Sequence, residues 1–283
     1  EVDALVGLGR IALEQRSLEK AGDIFAEAIT QANNIEYELG VADSNLGLAE
    51  VSFYTNRPDQ ALTSAEQALQ RYVAEHNALG TANANSLLAR VHLRRGQPGY
   101  ANSLMDRALR TYQAISYRVG QAEAAADLGE ILLQRGFLGR ALDAFHEARR
   151  FAQELHNEPV VCLAMLGAGD VARQRGQLAQ AKGQYEEALE RSARVTGPTQ
   201  VAVQVALELR VARLAILFGE LDSAEHALNS AQKLIADNQL AQNLLPQALL
   251  LEGQLLLTEG DFALAETRFG EAQKQAEALQ EPL

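Results

Sequence analysis

The chain has 283 residues, with 37 Asp and Glu against 25 Lys and Arg and a net charge of −12. That sign argues against a nucleic-acid partner, because a phosphate backbone needs a local excess of Lys and Arg. One Cys excludes an intrachain disulfide framework and a multi-Cys metal site, and no run approaches ~18 uninterrupted apolar residues, so no membrane span is expected.

Much Ala, Leu, Glu, Gln and Arg, few aromatics and no Trp point to helix. The lone Cys fits a reducing, cytoplasmic compartment. There is no signal-peptide pattern. Glu1 falls inside an already periodic segment, so the chain is read as a fragment of a longer protein.

Seven stretches repeat in chain order: LGRIALEQRSLEKA (8–21), LAEVSFYTNRPDQA (48–61), LARVHLRRGQPGYA (88–101), LGEILLQRGFLGRA (128–141), AGDVARQRGQLAQA (168–181), VARLAILFGELDSA (211–224) and EGQLLLTEGDFALA (252–265). Each ends in Ala, at 21, 61, 101, 141, 181, 224 and 265, and each has a second Ala seven residues on, at 28, 68, 108, 148, 188, 231 and 272. Twelve residues before the first Ala stands a small residue: Gly9, Ala49, Ala89, Gly129, Gly169, Ala212 or Gly253. Gly96, Gly136, Gly176, Gly219 and Gly260 mark a turn between these positions, where the first two units carry Arg16 and Asn56.

Small residues at crossing points let two helices approach closely, and a turn glycine ends the first of them. Each unit is therefore expected to be a helix hairpin, with Pro58 and Pro98 in the first turn of a second helix. First helices are predicted over 2–15, 40–55, 80–95, 120–135, 159–175, 200–218 and 243–259. Second helices are predicted over 18–36, 58–77, 98–117, 138–156, 178–195, 221–237 and 262–280. Phe25, Met105, Phe145, Tyr185, Leu228 and Phe269 are the expected core plugs of the second helices, with Ala65 the exception. The longest turn signal, Val195-Thr-Gly-Pro-Thr199, reads as a loop or a hinge.

A small residue, Ala twelve later, an aromatic four after that and Ala three beyond resemble the marks of the tetratricopeptide repeat (TPR) family. The resemblance covers essentially the whole chain. The signature tryptophan is absent, and the unit is about 40 residues, similar to the variant in bacterial regulators and signalling scaffolds. It implies an all-α, right-handed α-solenoid of about seven TPR-like hairpins (1–39, 40–79, 80–119, 120–158, 159–198, 199–242 and 243–283), expected as a single domain. Its marks are structural and say little about function.

No catalytic constellation is visible, and neither a cofactor nor a metal is expected. His76, His92, His146, His156 and His226 share no metal-ligand spacing, and Cys162 in VVCLAMLGAG reads as a small buried hydrophobe. In a hairpin solenoid the first helices line the inner face. The residue after each small one gives the row Arg10, Glu50, Arg90, Glu130, Asp170, Arg213 and Gln254. An apolar row follows: Leu13, Phe53, Leu93, Leu133, with Arg173 interrupting, then Ile216 and Leu257; Tyr54, Arg94 and Leu217 lie beside it.

Two readings stay open. Opposite charges on adjacent helices satisfy one another, or the two rows dock an amphipathic or extended segment of a partner. Phe53, Tyr54, Arg90 and Arg94 form the candidate hot spot of such a groove. RVHLRR (90–95) is locally basic, suited to a carboxylate-bearing peptide or to pairing with nearby Glu. The expected function is a non-enzymatic scaffold for a protein or peptide partner. The alternative is the ligand- or partner-sensing domain of a larger bacterial regulator of the maltose-regulator type. The last second helix shows no polar outer face, so self-association through it is a further expectation.

Overall fold

The computed structural model describes residues 1–193, 198–237 and 239–278. Those residues form fourteen α-helices and one 3-10 segment, with no strand. They fall into two compact units, Glu1–His156 and Asn157–Leu283, each taken by itself below.

The first unit holds four hairpins: α1 (Val2–Glu14) with α2 (Leu18–Asn34), α3 (Glu38–Tyr54) with α4 (Pro58–Ala74), α5 (Ala78–Arg94) with α6 (Pro98–Ala114), and α7 (Arg118–Gln134) with α8 (Leu138–Glu154). The second holds three: α9 (Glu158–Gln174) with α10 (Leu178–Ser192), α11 (Pro198–Phe218) with α12 (Leu221–Asp237), and α13 (Leu245–Glu259) with α14 (Phe262–Ala278). A 3-10 segment, Gln239–Leu244, precedes α13 and has no counterpart in the sequence reading. Second helices of the first unit end two or three residues earlier than predicted, at 34, 74, 114 and 154. Val195, Thr196 and Gly197 of the predicted long turn lie outside the described residues, and Pro198 begins α11.

Local chemistry sets the helix ends. Pro58 and Pro98 open α4 and α6, where a missing N–H breaks no helical bond. Asn77 and Asn157 cap α5 and α9, their side-chain oxygens accepting from the amides of Gly80 (2.8 Å) and Val160 (3.3 Å). Every turn inside a hairpin is left-handed. The five turn glycines adopt that shape without steric cost, and Arg16 (φ 59°) and Asn56 (φ 54°) take it as well. Glu36, His76, Ser116 and His156 repeat it in the turns between hairpins.

Packing follows the repeat. The two alanine rows are at most 1% exposed throughout. In four hairpins the ring of the second helix lies at the glycine of the first: Gly9, Gly129, Gly169 and Gly253. A Cβ on Gly9 would stand 2.6 Å from Phe25, one on Gly129 2.6 Å from Phe145, and one on Gly169 2.4 Å from Tyr185. Phe25 is also gripped from the next hairpin, since a Cβ on Gly47 would come within 2.3 Å of its ring. A second glycine row, Gly40, Gly80 and Gly120, receives the rings of Tyr37, Tyr72 and Tyr112. The predicted plugs are buried except Phe269, which is half-buried in the last hairpin.

Successive first helices also touch one another, α1–α3–α5–α7 in one unit and α9–α11–α13 in the other, whereas successive second helices make no comparable contact. The first helices are thus the inner layer of each unit, and their remaining free face is the candidate for binding.

The interlock predicts opposite signs for one substitution made on either side of Phe25. Gly47→Ala forces a methyl into the ring and lowers stability by about 1–3 kcal/mol. Gly22→Ala meets only a Val51 methyl at 3.8 Å and gains about 0.5–1 kcal/mol of helix propensity. Urea unfolding of both variants checks this; equal shifts would contradict the interlock.

Candidate docking faces on the first helices

In the first unit the C-terminal turn of α3 and that of α5 build one cluster. The Phe53 ring is buried and carries two guanidinium groups, Arg94 at 3.8 Å and Arg90 at 4.6 Å from its centroid. Arg94 Nη1 donates to the Phe53 carbonyl at 2.9 Å, closing the C-terminal end of α3 with a cation. Tyr54, 37% exposed, meets Phe53 edge to face at 5.6 Å and takes Arg16 over its own ring at 4.2 Å. Phe53, Tyr54, Arg90 and Arg94, expected together from spacing alone, are brought together.

Charge is packed around Arg90 on the same face. Burial works against its positive charge, but Asp127, Tyr54 and Glu50 more than offset this and hold its pKa above the usual guanidinium value. Burial raises the Glu50 carboxyl against the pull of Arg90 and Arg10, and raises Asp127 against Arg90. Glu123, one turn before Asp127 on α7, is raised by burial and then by repulsion from Asp127, with Arg90 pulling the other way. Arg10 is exposed and pairs with Asp43 at 3.6 Å rather than with Glu50. Asp43 Oδ1 also accepts the Tyr72 hydroxyl at 2.6 Å. Glu130 accepts from Gln134 Nε2 within its own helix at 3.1 Å.

The second unit has a different balance. Asp170 is 4% exposed, and both its oxygens are occupied. Oδ1 accepts the Tyr185 hydroxyl at 2.7 Å and Arg173 Nε at 3.4 Å. Oδ2 accepts Arg210 Nε and Nη2, each at 3.2 Å. Arg213, three residues beyond Arg210 on α11, is half-buried, and burial followed by the fields of Arg173 and Arg210 depresses its pKa. Leu163, Leu217 and Leu257, on α9, α11 and α13, are 38%, 61% and 49% exposed.

The predicted apolar row divides on inspection. Leu13, Phe53 and Leu133 are each 6% exposed and belong to helix packing, Leu93 and Ile216 are half-buried, and only Leu257 stands open. Asp43, Glu123, Asp127 and Arg210 were missed as members of the charged faces. Their signal was a helical spacing from a row already chosen, three residues for Asp127 and Arg210 and seven for Asp43 and Glu123, which places them on the same helix side.

Cys162 is buried, with Sγ donating to the Ala188 carbonyl at 3.6 Å, and burial pushes its thiol up to about 11. That holds it as the unreactive thiol at neutral pH. Among the described residues no three or more His, Cys, Asp or Glu side chains are grouped to hold a metal ion, and no helix is long and apolar enough to cross a membrane.

The sequence profile described as "Tetratricopeptide repeat" matches residues 40–114 and 120–194, more than half of the chain. The chain belongs to the tetratricopeptide repeat family. No curated protein matches it in sequence. Solved TPR-like structures share its fold at low identity. The apo form of RapI superposes with a TM-score of 0.73 at 13% identity, covering 98% of this chain and 99% of its own. A Rap protein complexed with competence and sporulation factor gives 0.74 at 16%, covering 98% and 75%. NprR in complex with its cognate peptide NprX gives 0.73 at 12%, covering 96% and 77%.

This TPR chain carries a pH signature on its first unit. A carboxyl whose folded pKa exceeds its unfolded value loses stability as pH rises from the ordinary carboxylate range through the raised one. Glu123→Gln removes that repulsion, so Tm rises at pH 7, on the order of 1 °C. The gain fades as pH falls through the ordinary carboxylate range and vanishes at pH ~3, where the wild-type carboxyl is protonated in both states. Thermal melts at the two pH values check this; a lower Tm at pH 7 would contradict it.

Proposed function

We propose that the chain is a non-enzymatic docking module that holds a peptide segment of a partner on the inner face of its first helices. The observation that carries this is the α3–α5 cluster. Phe53 and Tyr54 lie under Arg90, Arg94 and Arg16 at 3.8–4.6 Å, at the free face of the inner layer. Aromatic and Arg side chains held rigid by their neighbours are the residues that dominate binding energy at such faces, because little entropy is lost on contact. The peptide complexes of the Rap protein and NprR, which share the fold, support the same reading.

The site residues of the proposal are Arg10, Glu50, Phe53, Tyr54, Arg90, Arg94 and Glu130 in the first unit, and Asp170, Arg173 and Arg213 in the second. A cytoplasmic location belongs to the proposal and rests on the single buried thiol. The maltose-regulator form of the sensing alternative gains no support from these neighbours.

Selecting ligands from a random peptide display library, then measuring their affinities by fluorescence anisotropy, tests the proposal. Tyr54→Ala and Arg94→Gln change partly exposed side chains and leave the glycine–ring packing intact. Either is expected to weaken the selected peptides about tenfold, the usual scale of an anchor residue. Wild-type affinity in both variants would place the binding face elsewhere.

A further inference from the structure

The faces of the two units carry different charge. In the first, Arg90 is surrounded by Glu50, Glu123 and Asp127. In the second, two guanidinium groups, Arg173 and Arg210, bond one carboxylate, Asp170, and Arg213 lies three residues beyond Arg210 on α11. Asp170 has no acceptor capacity to spare, since the Tyr185 hydroxyl and Arg173 share Oδ1 and Arg210 takes Oδ2 through two nitrogens. Arg213 is the remainder. Among the described residues it makes no ion pair, and after burial the like charges of Arg173 and Arg210 outweigh the attraction of Asp170 and Tyr185. The local excess is two positive charges in a chain whose total is −12.

The arrangement has the form of a preorganised anion subsite. Asp170 holds Arg210 by a two-nitrogen grip and Arg173 by Nε alone, so the Nη groups of Arg173 are not engaged by that carboxylate. Arg213 adds five more donors on the next turn. Arg213 is half-buried beside two like charges that its attraction to Asp170 and Tyr185 does not offset, an excess that an arriving anion would relieve. Four residues beyond Arg213 on the same side of α11 lies Leu217, 61% exposed, with Leu257 of α13 at 49%. The apolar and cationic elements sit side by side.

We propose that the inner face of the second unit recognises an acidic side chain of an extended peptide, with Arg213 and Arg173 as the contacting groups and an apolar residue of that peptide beside Leu217. This rests on the docking reading above and gives its ligand a chemistry. The occupant is a segment of a partner protein bearing Asp or Glu next to an aliphatic residue.

The test uses the full chain and the same random peptide library, selected in parallel on wild type, Arg213→Gln and Arg213→Lys. Wild type is expected to enrich peptides with Asp or Glu beside an aliphatic residue. Exchanging that acid for its amide should weaken binding about tenfold on wild type and leave Arg213→Gln unaffected. Arg213→Lys should retain part of the preference. Circular dichroism melts guard against misfolding. Arg213→Gln is expected to melt no lower than wild type, because it removes a partly desolvated charge among like charges. Peptides that depend on Tyr54 but show no acidic enrichment would overturn this inference and leave the docking reading standing. A library that yields no ligand at all would overturn both.

Discussion

Four of the seven hairpins depend on one contact, the seating of a ring from the second helix on a glycine of the first, and the other three place Ala65, Met105 or Leu228 against an alanine at the same positions. Phe25 against Gly9 and Gly47 shows it most fully, because one ring locks its own hairpin and the next. A ring can be that close only where the opposing backbone is bare, and the two alanine rows keep the helices near enough for the seat to form. The contact fixes the rotation of each first helix. The residue after each small position is then turned away from the second helix, so a packing rule decides which side chains reach the inner side.

What is offered differs between the units. Both place charges where water is partly withdrawn, and that raises the cost of any charge left unmatched. In the first unit, carboxyls around Arg90 stand above their ordinary values because burial outweighs attraction to Arg90 at Asp127, and to Arg90, Arg10 and Arg16 at Glu50. In the second, Asp170 is saturated while Arg213 is depressed by burial and by its cationic neighbours. Such imbalance lowers the stability of the free protein, and on the docking function proposed above it is what a complementary ligand would relieve.

The fold was legible in the sequence because its rule is periodic. Alanines at fixed intervals and small residues twelve positions ahead of them located every hairpin to within a few residues. The second glycine row, Gly40, Gly80 and Gly120, was equally periodic, but its meaning needs the tyrosine rings, which arrive from the preceding helix at Gly80 and Gly120 and from the N-cap Tyr37 at Gly40. The site was legible in part. Phe53, Tyr54, Arg90 and Arg94 come together as spacing implied, whereas the partners of the charged row do not lie in that row. Arg10 pairs with Asp43, and Asp170 with Arg210, because side chains reach diagonally across neighbouring helices by amounts that one-dimensional spacing does not contain. The apolar row misled for a related reason: at Leu13, Phe53 and Leu133 it already belongs to the seam between stacked first helices.

The central claim is that the free side of the first helices is the binding face. A crystal structure of the protein with a selected peptide tests it most directly. The account predicts the peptide lying across the first helices of a unit, with a side chain against the Phe53–Tyr54 cluster or the Arg173–Arg213 pair. A peptide seated only on second helices, with the inner layer bare, would contradict it.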